Sequence, residues 1–292
     1  LAVGVMPNVA NVPTGWTTDR YDPAAFVNVG PYNGRPAALG IAIDSTTDLA
    51  NRSPGFQSTF YNTQGRQFAF SPAAGPGSVV SSDLFIPTSW NNPVNGSVRS
   101  DMWVVMQDIS PAITGWAIIG FTNYGGSPRL RVWDGDVGWV DLGTAINYNA
   151  WNRFSVELMP DTSVKFYVNG SLVFTDFATG STASFSAVIM QAYNFADPVA
   201  APGAVLTPYT AHWANSTMVV DNDGQGSASD CDATDGAFAT VQLAVSASGP
   251  GDTIRVCSGT YVQTATSNLS SADVTVTGVG PTKPVIQAAS AI

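Results

Sequence analysis

The sequence predicts an all-β protein, built mainly as a sandwich of antiparallel strands. Three observations predict it. The 292 residues are 45% hydrophobic, which supplies a sizeable core, yet only 11% are charged, less than half the usual quarter. Glu157 is the only glutamate, and Lys165 and Lys283 are the only lysines, so the sequence is starved of helix formers and rich in strand and turn residues. Short alternating segments bounded by Gly, Pro or Asn recur from Trp16 to about Val219, as strands joined by turns do.

Residues 1–15 are apolar and punctuated by Pro and Gly, an extended lead-in. In RLRVW, Leu130 and Val132 share one face, and Arg129, Arg131 and Trp133 share the other. In WNRFSVELMP, Phe154, Val156 and Leu158 face inward. The clearest hairpin is SVKFYVNGSLVFT, residues 163–175, where Asn169-Gly170 tolerates positive φ at both turn positions. Val164, Phe166 and Val168 lie on one of its faces, with Lys165 and Tyr167 on the other. SFSAVIMQAYNF and YTAHWANSTMVV read as two more long strands, joined by a Pro/Gly/Ala loop. After Asp221 the composition shifts to Asp, Gly and Ser, which divides the protein into domains 1–219 and 220–292. Phe238, Val241 and Val245 follow helical spacing on one short segment. Ile254 and Val256 alternate inward, and Val274, Val276, Val285 and Ile286 predict two further strands.

The formal net charge of −10 argues against nucleic acid, whose phosphates need clustered Lys and Arg, and against anionic membranes. No apolar run approaches the roughly 20 residues that insert across a bilayer. The sequence begins at Leu1, which suits a mature secreted protein and equally a trimmed one. Cys231 and Cys257 form an even pair, read as a disulfide if the protein is secreted; the alternative is two buried free thiols.

Two resemblances follow from these segments. Trp151, Phe154, Val156 and Phe166-Tyr167-Val168-Asn169-Gly170, ending in Tyr209-Thr210-Ala211-His212-Trp213, together resemble the concanavalin A-like/laminin G-like jelly roll over residues 12–218. The N-terminal VPTGWTTDRYDPAAF and the FYNTQGRQF of residues 60–68 resemble blocks of uncharacterised bacterial secreted domains of that superfamily. Val220–Tyr261, with its cysteines, acidic Gly-rich loop, helical segment and strand, resembles the opening cap of pectin lyase-like right-handed parallel β-helices. The implied architecture is a jelly-roll sandwich followed by a short, incomplete parallel β-helix, whose coils bury their apolar side only by stacking.

The inventory of reactive groups excludes more than it supports. Jelly-roll glycosidases of this superfamily use paired glutamates, and glycosidic hydrolysis needs two carboxyls about 5–9 Å apart; Glu157 stands alone. Asp134 and Asp136 fall at i, i+2, but Trp133-Asp134-Gly135-Asp136 reads better as a solvated turn. His212 is the single histidine, so neither a Ser/His/Asp triad nor a multi-histidine zinc site is favoured, and no Gly-rich phosphate loop precedes a helix. Calcium is the cofactor the residues fit best: Asp221, Asp223, Asp230 and Asp232 offer the hard oxygens it selects, the alternative being an acidic linker of Asx turns. Sugars stack on aromatic rings, and Trp133 with Arg129 and Arg131, extended by Trp139, Asp141 and Tyr124, forms a candidate carbohydrate platform; core packing is the alternative. Trp16, Trp103, Trp116, Trp151 and Trp213 are assigned to packing. Asp19-Arg20-Tyr21 reads as an ion pair pinning its strand, and Asn62, Gln64 and Arg66 as either a sugar-bonding face or a polar strand edge.

The resulting expectation is a secreted, extracellular or cell-surface protein, non-enzymatic, for adhesion or recognition of a glycan or a neighbouring protein subunit. A first alternative is a structural subunit of a filament, sheath or surface array, self-associating through the open β-helix end or the N-terminal segment. A second is a fragment of a polysaccharide-degrading β-helix enzyme.

Overall fold

A computed structural model of the protein describes residues 2–4, 16–20, 29–44, 54–56, 62–177, 179–226, 231–232, 237–248, 252–264 and 274–289. The strands are β1 (Ala2–Gly4), β2 (Trp16–Asp19), β3 (Val29–Tyr32), β4 (Arg35–Ile43), β5 (Thr63–Ala74), β6 (Val79–Ile86), β7 (Arg99–Gln107), β8 (Ile113–Thr122), β9 (Arg129–Asp134), β10 (Gly138–Leu142), β11 (Ala150–Leu158), β12 (Val164–Val168), β13 (Ser171–Asp176), β14 (Ser184–Tyr193), β15 (Tyr209–Ala214) and β16 (Thr217–Val220). Helix α1 (Val241–Ala247) follows, then β17 (Thr253–Val256), β18 (Thr260–Gln263), β19 (Thr275–Gly278) and β20 (Val285–Ala288). The protein is all-β: a two-sheet antiparallel sandwich plus small parallel sheets.

The first large sheet runs β13-β12-β11-β6-β15-β4-β3, with β1 paired parallel to β6; the second runs β10-β9-β8-β7-β14-β5-β2. The pairing of Ala2–Gly4 with Val79–Ser81 ties that part of the N-terminal segment into the sandwich. Alternation decides what each strand buries. Phe154, Val156, Leu158, Val164 and Phe166 from one sheet meet Leu130, Val132, Phe121, Val188 and Met190 from the other, all with no exposed surface. Each of these residues contributes about 1.5–3 kcal/mol by leaving water. A polar link through this layer satisfies itself: the Trp213 indole N–H donates to Ser100 Oγ at 2.9 Å, and Ser100 Oγ donates to the Gln191 carbonyl at 2.7 Å. The β12–β13 hairpin turns at Asn169-Gly170, with φ of 49° and 80°.

The long strand expected over residues 209–220 is broken. Asn215 Oδ1 accepts from the Thr217 backbone N–H at 2.9 Å, an Asx turn, so β15 stays in the sandwich while β16 joins β17 and β19 in a parallel sheet. A second parallel pair, β18 with β20, lies beside it in sequence. Met218, Val220, Ile254 and Val256 form its core with Phe238, Val241, Ala244, Val245 and Tyr261. Phe238 precedes the helix, bridging to Val220, rather than lying on it. Thr240 caps α1, its Oγ1 accepting from the Leu243 backbone N–H at 3.2 Å.

Four charged residues join the parallel sheets to the sandwich. Arg35 Nη2 lies 2.8 Å from Asp83 Oδ2 and 3.5 Å from Asp252 Oδ2; Arg153 Nε lies 3.3 Å from Asp83 Oδ1, and its Nη2 pairs with Asp252 Oδ1. Arg35, Asp83 and Asp252 are buried. The same guanidinium groups donate to the backbone carbonyls of Asn215 and Ser216, at 3.2 and 2.8 Å, where the backbone leaves the sandwich.

Candidate functional site

The β9–β10 hairpin is where the sequence places its aromatic platform. Its turn is an Asx turn: Asp134 Oδ1 accepts from the backbone N–H groups of Asp136 and Val137, at 2.8 and 3.0 Å. Leu130 and Val132 are buried between the sheets, so Arg129, Arg131 and Trp133 point to the outer side of the second sheet. Trp133 and Trp139 are register partners, and their rings meet edge-on, 5.3 Å between centroids. The Arg131 guanidinium lies 3.7 Å from the Trp139 ring centroid, close enough for a strong cation–π contact. Arg99 of β7 approaches the same ring at 4.7 Å and the Tyr193 ring at 5.0 Å. Arg129 pairs with Asp141 at 2.8 Å and donates to the Tyr124 carbonyl at 3.2 Å. Tyr124 packs its ring 5.2 Å from Phe195 and donates its hydroxyl to the Pro202 carbonyl. Trp133, Trp139, Arg129 and Arg131 thus come together on one face, while Tyr124 flanks it with its hydroxyl engaged.

Register extends this face across the whole sheet. Asp141, Arg131, Gly120, Asp101, Gln191, Gly65 and Asp19 are successive cross-strand partners from β10 to β2. A Cβ at Gly120 would collide with the Asp101 carboxylate, so only glycine fits between Arg131 and Asp101. Asp101 is buried and holds Arg99 Nε at 2.6 Å, leaving its Oδ1 without a hydrogen bond. Gln191 Nε2 donates to Asp19 Oδ2, and burial holds the Asp19 carboxyl above the usual carboxylate range. The Asp19–Arg20 pair expected from the sequence is present at 3.8 Å; Tyr21 lies outside the described residues. Trp103, expected to be packing, lies partly exposed under Arg20, with its buried indole N–H unpartnered.

Three sequence readings change. Asn62, Gln64 and Arg66 are buried, not a sugar-facing edge; Arg66 pairs with Met190, whose side chain belongs to the inter-sheet core. Trp116 is 37% exposed and is not core. Trp151 lies on the outer side of the first sheet, where it donates its indole N–H to the Asn33 carbonyl at 3.1 Å.

That outer side carries a concavity. A groove of about 1030 Å³ runs between the first sheet and α1, walled by Tyr32, Trp151, Phe238 and Leu243 and floored by the Arg35–Asp83–Arg153–Asp252 network. The sequence gives no sign of it, because its walls come from segments about 200 residues apart. His212 lies beside it, stacked on Tyr32 with centroids 3.5 Å apart. This is the strand histidine expected from the sequence, packed rather than poised. Burial pulls its pKa down to about 4, against about 6.5 when unfolded. The unfolded state therefore takes up a proton that the folded state refuses, and stability falls as pH drops from about 6.5 to about 4. His212→Phe is expected to flatten the melting temperature over that window. An unchanged pH slope in the variant would assign the acid sensitivity elsewhere.

The acidic segment is tied down by the Cys231–Cys257 disulfide, with Cα atoms 5.8 Å apart. Asp221 is buried, its carboxylate within 4.8 Å of both sulfurs; burial raises its pKa. Bonded sulfurs offer no thiolate to a metal. Asp221 Oδ1 accepts from Asp223 N–H at 3.4 Å, and Asp223 Oδ1 from Gln225 N–H at 2.8 Å. Asp223 and Asp232 are exposed, and Asp230 lies outside the described residues. Calcium takes six to eight oxygens, so the described aspartates would form only part of a cage.

No protein-family model matches the sequence, and no curated protein matches it. Among solved structures, a sialidase is similar at 14% identity and a TM-score of 0.43 over 69% of this protein, which spans only 16% of that one. A Bacillus licheniformis β-glucanase is similar at 18% identity and 0.38, over 71% of this protein and 94% of that one. A carbohydrate binding module from Bacillus subtilis is similar at 12% identity and 0.32, over 66% and 94%. Likenesses this distant assign no activity.

Proposed function

We propose that the protein is a non-enzymatic glycan-binding protein of the extracellular space or cell surface, and that the Trp133–Trp139–Arg131 face of the second sheet is its contact surface. One observation carries the reading: two indoles, paired across neighbouring strands, stand partly exposed beside two guanidinium groups already seated on one of them. Sugar rings present apolar faces to such indoles and hydroxyls to the flanking donors. Recognition rather than hydrolysis is favoured by carboxylate spacing. Asp141, Asp101 and Asp19 are separated by three strand steps each, about 14 Å, against the roughly 5–9.5 Å that hydrolysis requires. Glu157 is held by the Tyr167 hydroxyl at 2.5 Å on the other sheet. The disulfide favours an oxidising compartment. Among the described residues no helix is long and apolar enough to cross a membrane.

A second reading, a structural subunit, is favoured by β19 and β20, which are exposed throughout, with Val285 at 52% and Ile286 at 50%. These are the strands on which a further coil of a parallel β-helix would stack. Calcium enters the proposal at the Asp221–Asp223 turn, on a different layer from the arginine face.

A glycan array followed by titration calorimetry, run with calcium and with chelator, tests the reading. Wild type is expected to bind, equally in both conditions, and Trp139→Ala to weaken binding about tenfold or more, as loss of an aromatic anchor does. A folded protein that binds no glycan, and whose sedimentation coefficient rises with concentration, would move the reading to the structural subunit.

A further inference from the structure

Arg131 differs from the arginines that are paired with carboxylates. Arg20, Arg35, Arg99, Arg129 and Arg153 each have a carboxylate within 4.0 Å. Arg131 has none among the described residues, although only 9% of it is exposed, and its Nε is buried with no hydrogen-bond partner. Its guanidinium lies 3.7 Å from the Trp139 ring centroid. The two nearby acids on the same register row pair with other arginines, Asp101 with Arg99 through Oδ2 alone and Asp141 with Arg129. Burial lowers the Arg131 pKa only to about 10, so the group keeps its charge at neutral pH. A buried, charged donor without an acceptor is costly, and a protein with only 11 Lys and Arg has many less costly residues for an outward strand position.

We propose that Arg131 is the carboxylate-recognising residue of this face, and that the glycan it takes is acidic, a polyuronate. The proposal rests on the glycan-binding reading above and narrows its ligand class. The carboxylate of a hexuronate is attached outside the pyranose ring, at its edge. A ring stacked on the Trp133–Trp139 pair therefore presents that group to a cation flanking the same indoles. A guanidinium meets a carboxylate with two parallel N–H donors, which an ammonium cannot do. Arg99, 4.7 Å from the Trp139 ring centroid, supplies further positive potential, which the net charge of −10 makes local to this face. Binding is accordingly expected to weaken as salt rises.

The test is titration calorimetry of oligogalacturonate, oligoglucuronate and oligomannuronate, each against the same oligosaccharide with its carboxyls reduced to primary alcohols, with oligosialate as a separate arm. Wild type is expected to bind at least one uronate about tenfold or more tightly than its reduced counterpart, the scale of a charge-assisted hydrogen bond. Arg131→Gln is expected to bring the affinities for the acidic and reduced forms to the same value, and Arg131→Lys to retain part of the difference. Thermal melts confirm that both variants fold. Equal affinity for acidic and reduced forms overturns the proposal and leaves glycan binding standing. No binding of any saccharide by the folded wild type overturns both. Binding of sialate alone, lost in Arg131→Gln, keeps the carboxylate subsite but overturns the uronate assignment.

Discussion

Replacing Asp83 by alanine is expected to destabilise the protein by about 3–5 kcal/mol, the cost of removing one partner from a buried ion pair. Asp83 is 2% exposed and bridges Arg35 and Arg153 with one oxygen each. Without it, two guanidinium groups share the single carboxylate of Asp252, and a positive charge is left in the interior. The geometry makes a second demand. Arg35 belongs to β4, Asp83 to β6 and Arg153 to β11, all in the sandwich, whereas Asp252 immediately precedes β17 of the parallel sheet. Losing Asp83 should therefore weaken cooperation between the two parts as well as total stability. Urea unfolding followed by both tryptophan fluorescence and far-UV circular dichroism reads both effects. The expected result is a lower midpoint and, for the variant, transitions that no longer coincide. Asp83→Asn keeps the shape and removes the charge; if it matches wild type within about 0.5 kcal/mol, packing rather than ion pairing is what Asp83 supplies. Replacing all four charged residues with apolar ones should cost much less than the single change, since no ion is then left unpaired.

That network marks the limit of what the sequence makes legible. The strands that alternate cleanly are readable, because a period of two on a half-buried sheet leaves one solution: Phe154, Val156 and Leu158, Val164, Phe166 and Val168, and the opposed faces of RLRVW. The proposed contact face is half readable for the same reason. Arg129, Arg131 and Trp133 share a side by alternation alone, but their neighbours Arg99, Asp101 and Tyr193 arrive through the register of β8, β7 and β14, which alternation does not determine. The RSDMW segment carries the signal, since Arg99, Asp101 and Trp103 alternate, yet nothing local distinguishes its outer side from another core strand. Arg66 errs the other way. A polar residue at an alternating position reads as exposed, and here it is buried at 2% and donates to Thr18. The groove beside α1 and the Arg35–Asp83–Arg153–Asp252 network are long-range properties, invisible to any window of the sequence. Asn215 is a small lesson of the same kind: one Asx turn sends four residues of an apparently continuous strand into a different sheet.

Breaking the Cys231–Cys257 bond carries the other large expected effect, and it should fall on the opposite side of the ion network. The bond closes a loop with a sequence separation of 26, for which lost conformational entropy in the unfolded state corresponds to about 3–4 kcal/mol. Cys257 directly follows β17 and is fully buried among Val219, Ala237 and Val279. The bond therefore fastens the acidic segment to the small parallel sheet, whose core among the described residues comprises nine buried residues, against thirty in the sandwich. A small core has little apolar area to spare, so the parallel sheets depend on the bond more than the sandwich does. Reduction by dithiothreitol leaves every side group in place and reads the cross-link alone; Cys231→Ala with Cys257→Ala adds the loss of packing at Cys257, so the double variant should be the weaker of the two. Limited proteolysis of the reduced protein is expected to degrade the residues beyond Val220 first and leave the sandwich as a resistant fragment. Simultaneous loss of both parts would mean that Asp252 and its arginines couple them so tightly that the sandwich cannot outlast its neighbour, which Asp83→Ala in the reduced protein would then relieve.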